Sequence, residues 1–123
     1  MTVTRQDYET LEHIKDALSG ALLEKHPDAL EKFTHTLGFG EKIALGAAKL
    51  RYEFAAAAKD VGYDVKARRL VEFCDRTVPG LVKVFGEAAV IGALPPEARN
   101  ENVAALSQSL GGPRIADLIR KTL

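Results

Sequence analysis

The chain's single cysteine lies in the run KARRLVEFCDRTVPGLVKVF, residues 66 to 85, with Glu72 and Asp75 close to it and Arg69 and Arg76 beyond them. A nucleophilic cysteine needs a helix amino end or an adjacent histidine to lower its pKa. Cys74 instead falls four residues after Leu70 and one after Phe73, on the apolar side of a helix and near its carboxyl end. Gly80, not an arginine, stands six positions on, so phosphatase-type spacing is absent. The spacing therefore reads Cys74 as a small buried apolar group.

The three histidines, His13, His26 and His35, lie among carboxylates in the first third of the chain. His13 and Asp16 are three apart and can share a helix face, but two ligands make an incomplete metal site, and no HExxH or paired Glu-x-x-His pattern accompanies them. The stretch GFGEKIALG, residues 38 to 46, offers glycines and a lysine at a helix start. It is neither G-x-x-x-x-G-K-[ST] nor preceded by a strand, so it reads as a helix stop and hinge. No serine, histidine and acid set emerges from local context. The expectation is a protein without a catalytic residue, a cofactor or a metal, and not an enzyme.

The elements that position these residues follow from composition and periodicity. A chain of 123 residues with 46% apolar and 28% charged side chains suits one soluble domain with one core. One cysteine closes no internal disulfide, so burial must hold the fold. No apolar run approaches the ~20 residues needed to span a bilayer, and the start MTVTRQDYETLEHIKD lacks a secretory layout. A cytoplasmic protein without a membrane partner is expected.

Apolar residues recur at three- and four-residue steps, with no useful run of period two, so the fold reads as all-α. Tyr8, Leu11, Ile14, Leu18 and Leu22 stripe a first helix that Thr4 and Asp7 cap and that runs to about Glu24. Pro27 opens a second, with Leu30, Phe33 and Leu37 inward and Gly38 as its stop. A third runs from near Gly40 to Val61, with Ile43, Ala47, Leu50, Phe54 and Ala58 inward. Its alanines at 55 to 58 permit close approach of a neighbour, and Gly62 ends it. Asp64 caps a fourth helix to about Arg76, and Val78, preceding Pro79, marks a corner before a crowded, central fifth. Residues 92 to 102 form a loop, followed by short helices near 100 to 110 and 113 to 121 that must pack on other elements. The expected architecture is one helical domain over 1–123, a compact bundle of six or seven helices. A five-helix body over 1–91 carries the loop and two short helices of 92–123.

Seventeen basic and seventeen acidic side chains cancel, so the overall field makes nucleic acid an unexpected partner. Their distribution is uneven. Residues 1 to 31 carry seven acids against three bases, whereas residues 64 to 86 carry five bases against three acids. Lys66, Arg68 and Arg69 stand in the first turns of a helix, where the dipole disfavours cations. Glu12 and Asp16 on the first helix are the complementary candidates. Together these five residues are the expected interaction site.

Two segments carry a resemblance. DALEKFTHTLGF, residues 28 to 39, resembles a leucine-containing helix leading to a Leu-Gly-aliphatic turn, and KARRLVEFCDR, residues 66 to 76, with Leu81 following, resembles an Ala-Arg-x-Leu-Val-x-aromatic helix. Both are similar to the effector-associated domains of bacterial conflict and signalling systems, helical modules akin to death-fold adaptors. The likeness covers residues 11 to 86. It implies a death-fold-like bundle and a non-catalytic adaptor that brings like domains together on behalf of a separate effector.

The expected function is thus a protein–protein interaction module, associating with itself or another protein through charged faces. Two other readings stand beside it: a helical protein with an apolar ligand pocket between the third, fourth and fifth helices near Cys74 and Phe54, and a helical DNA-binding regulator using Lys66 to Arg69. No recognisable helix-turn-helix accompanies the latter.

Overall fold

The computed structural model describes residues 2–123. Its elements are α1 (Arg5–Lys15), continued without a break by a π-helical segment (Asp16–Glu24), then α2 (Pro27–Thr36), α3 (Phe39–Ala57), α4 (Tyr63–Phe85), α5 (Glu87–Ala93), a 3₁₀ turn (Pro96–Ala98), α6 (Glu101–Ser109) and α7 (Pro113–Arg120). Among the described residues there is no strand. The described residues form an all-α bundle of seven α-helices.

Helix α4 is the spine. Its 23 residues extend about 34 Å, and α1, α2, α3, α5 and α7 all pack on it. Ala67, Leu70, Val71, Phe73, Cys74, Val78 and Leu81 are buried along it. The corner expected at Val78 and Pro79 is absent: Pro79 lies inside one continuous helix. An interior proline costs about 3 kcal/mol, while each large side chain buried around it returns about 1.5–3 kcal/mol. Val78 and Leu81 lie on either side of Pro79, so burial outweighs the local preference. The expected fourth helix and the first half of the expected fifth are therefore one, and the remainder of the fifth is α5, beyond Gly86.

Local chemistry explains several ends. The Asp7 N–H donates to Thr4 Oγ1 at 3.0 Å and the Thr4 N–H to Asp7 Oδ2 at 3.1 Å, a reciprocal cap on α1. Pro27 takes the first turn of α2, where its missing N–H leaves nothing unpaired. Gly38 precedes α3 in an extended conformation, so it starts that helix and does not end α2 as a left-handed cap. Helix α3 ends at Ala57, four residues before the expected Val61. Asp64 also takes a different role from the expected cap. It lies inside the first turn of α4, and its Oδ1 accepts the Val3 N–H at 2.6 Å, tying the chain's start to the spine. Gly86, at φ +85°, turns the chain into α5.

Within Asp16–Glu24 the backbone widens, and the Lys25 N–H reaches back five residues to the Gly20 carbonyl. A wider turn moves the inward register from four residues to five. Leu18 and Leu23 are accordingly buried, and Leu22, the expected partner of Leu18, is only half-buried.

The last two helices close the core. Ile115 and Ile119 are among the most deeply buried side chains, together with Leu11, Ile14, Leu18, Leu70, Leu81 and Leu94. Arg99 braces the preceding loop by donating to the carbonyls of Gly92 and Leu94.

Candidate interaction surface

Helix α3 lies on α4 through its small side chains. Ala48 is fully buried, and Ala44, Leu45, Tyr52 and Ala55 are half-buried beside it. Tyr52 stacks on Phe73 of α4, with ring centroids 5.8 Å apart and planes at 11°, and Lys15 Nζ sits 5.4 Å from the centre of the Tyr52 ring. The opposite face carries the large apolar residues. Phe39 is 81% exposed, Ile43 57%, Leu50 57% and Phe54 75%. At 3.6 residues per turn these four fall within about 60° of arc, a narrow apolar stripe open to solvent.

That stripe reverses an expectation. Ile43, Leu50 and Phe54 were to point inward, yet α3 has two faces without charge, and the one lined by Ala44, Ala48 and Ala55 lets the two backbones approach closely. The bulky face is left outside. Phe39 lies just before the expected helix start near Gly40, so its place in the same stripe was not legible.

Charge flanks the stripe on both sides. On one side stand Lys42, Lys49 and Glu53, with Lys49 Nζ 3.9 Å from Glu53 Oε1. On the other, Arg51 donates to Glu72 of α4 at 2.6 Å, and Glu72 also has Arg69 and Arg76 at 3.6 Å each. Burial alone would raise the Glu72 pKa, but the Arg51 hydrogen bond and the three guanidinium charges outweigh it and hold the carboxyl below its ordinary value.

The five residues expected at the interaction site do not form one constellation. Helices α1 and α4 lie against each other, with Tyr8 on Tyr63 at 5.6 Å between ring centroids, so the acidic and basic groups sit on neighbouring helices. Among the described residues no ion pair joins them. Asp16 is exposed and pairs with Lys15 at 3.1 Å, Arg69 turns toward Glu72, and Glu12, Lys66 and Arg68 make no ion pair within the described chain.

Cys74 is 4% exposed, and burial pushes its thiol up to about 12, with Lys15 opposing and Asp75 and Asp16 adding to the rise. It is a packing residue. Phe54, expected beside it at an apolar pocket, points to solvent. An apolar groove of about 480 Å³ lies instead between the π-helical segment, α2 and α3, with Leu23, Leu30, Phe33 and Leu45 on its walls and Phe73 of α4 beneath. The histidines are dispersed: His13 Nδ1 meets Glu97 at 2.6 Å, and His35 lies 3.8 Å from Glu31. Among the described residues no group of three or more metal-ligating side chains converges, and no helix is long and apolar enough to cross a membrane.

No family model, curated protein or solved structure matches the chain.

Proposed function

We propose that this chain is a non-catalytic protein-interaction module of the cytoplasm, and that its contact surface is the outer face of α3. One observation carries the reading: four large apolar side chains stand in helical register on one exposed stripe, rimmed by charge. Contiguous apolar surface of that kind is costly to leave in water and marks sites of association. The acidic Glu12 and Asp16 and the basic Lys66, Arg68 and Arg69 lie outside the stripe. They contribute orientation and encounter rate more than affinity, as charged rims do. Such a role agrees with the adaptor function that the resemblance to effector-associated domains implies.

The test pairs light scattering with pull-down of the proteins encoded beside it, using the chain and a Leu50→Asp, Phe54→Asp variant. Both positions are exposed, so the variant keeps its helical spectrum and melting temperature while association falls. Association that persists unchanged in the variant removes the reading.

The groove between the π-helical segment, α2 and α3 supports a second reading, capture of a small apolar ligand. Native mass spectrometry showing added mass that Leu30→Glu abolishes would favour it.

A further inference from the structure

We infer that the partner seated on α3 is a second copy of this chain, joined antiparallel about a two-fold axis that passes between Gly46 and Ala47. The inference rests on the reading of α3 as a contact surface. Its own ground is the symmetry of the stripe. Phe39 and Phe54 stand equally far from the midpoint between Gly46 and Ala47, and Ile43 and Leu50 do so too. An antiparallel copy therefore sets Phe39 on the partner's Phe54 and Ile43 on the partner's Leu50, along a seam about 22 Å long. A two-fold interface must be self-complementary in this way. The smallest side chains, Gly46 and Ala47, fall at the crossing point, where two helices come closest, and a Cβ added at Gly46 would meet nothing within 4 Å in the single chain.

Charge agrees with the same direction. Lys42 and Glu53 lie on one flank, and antiparallel pairing keeps that flank facing itself. The partner's Lys42 then falls two residues from Glu53, about 3 Å along the axis, twice by symmetry, while Lys49, equally near along the axis, stands further round the helix from the seam. Parallel pairing would instead set this flank against the partner's other flank, where Arg51 already donates to Glu72. A single helix seam is smaller than the usual stable interface, so the dimer is reversible and grows with concentration.

Three measurements test it. Sedimentation of the wild-type chain should show monomer passing to twice the monomer mass as concentration rises. Ala47→Cys should form a disulfide-linked dimer on mild oxidation, since the native Cys74 is buried, while Ala105→Cys, at an exposed position of α6, should not. Lys42→Glu and Glu53→Lys should each weaken the dimer by about fivefold, and the double variant should restore it. A chain that stays monomeric with no Ala47→Cys cross-link overturns the self-pairing, and so does a double variant no better than the singles. If the monomer instead binds a neighbouring protein or anionic vesicles, and Leu50→Asp abolishes that binding, the two-fold seam is overturned. The first of those results leaves α3 a protein-contact surface, and the second removes that reading as well.

Discussion

The carboxylate of Asp75 on α4 accepts the backbone N–H groups of Arg114 and Ile115 at 2.8 and 3.0 Å, in the first turn of α7. Arg114 Nη1 adds a contact to the other oxygen at 3.1 Å. An acid 4% exposed is thereby satisfied by another helix's unpaired donors and by that helix's positive end. Removing it leaves two N–H groups, one buried and one part-buried, without a partner. Asp75→Ala should destabilise the fold by about 3 kcal/mol, a fall of roughly 10 °C in thermal midpoint. Arg114→Ala, whose side chain is more than half exposed, should cost less than about 1 kcal/mol. Thermal unfolding by circular dichroism of both variants checks the ratio.

Two glycines should respond in opposite directions to alanine. A Cβ at Gly80 would lie 2.5 Å from Phe33 Cε2, because the α2 ring rests directly on the α4 backbone. Gly80→Ala should destabilise by about 1–3 kcal/mol, as overpacking does. Gly46, in the middle of α3 with open space around it, should gain about 0.5–1 kcal/mol from the same change. Urea unfolding at protein concentrations where the chain is monomeric separates the two.

Alkaline stability should fail early. Burial holds Cys74 at about 12, and Tyr8 is raised to about 12 by burial first and then by Glu12, Tyr52 and Tyr63. Both groups stay neutral longer when folded than when unfolded, so their contribution is complete below the unfolded values, near 9.0 and 10.0, and is lost as pH rises toward 12. Denaturant midpoints should drop steadily across that window, and Cys74→Ser should lessen the drop. A thiol reagent at pH 8 should leave the native protein unmodified and react only at the rate of unfolding.

Glu72 should matter at the acid end. Its folded pKa is depressed by Arg51, Arg76 and Arg69, so its contribution is present above the ordinary value of 4.5 and disappears as pH falls through the depressed one. Glu72→Gln should cost about 1–2 kcal/mol at pH 7, leaving three guanidinium groups without their counter-charge, and should flatten the stability profile near pH 4. Denaturant unfolding across pH 3 to 7 reads both effects.

The helical class and most helix starts were legible, because Thr4 with Asp7, Pro27 and the three- and four-residue apolar steps are local signals that tertiary contacts left in place. The side from which α3 packs was not. Its sequence offers one face of Phe39, Ile43, Leu50 and Phe54 and another of Ala44, Ala48 and Ala55, and hydrophobicity favours the first while backbone approach to α4 selects the second. Pro79 misled for a related reason. A local break rule was overruled by burial around Val78 and Leu81 that depends on α2 and on distant elements. The charged trio at Lys66 to Arg69 was visible, and so was Glu72 three residues after Arg69 on the same helix; what spacing did not show is Arg51, which reaches Glu72 from α3.

The widened turns between Asp16 and Glu24 hold one residue of slack. Leu18 and Leu23 meet the core five positions apart, one more than an ordinary helical turn supplies. Deleting the exposed Ala21 would bring those leucines to a four-residue spacing, so the segment could rewind as a regular helix with both still in place. This stretch should absorb a shortening of the chain that α4, gripped from Ala67 to Leu81, would not survive.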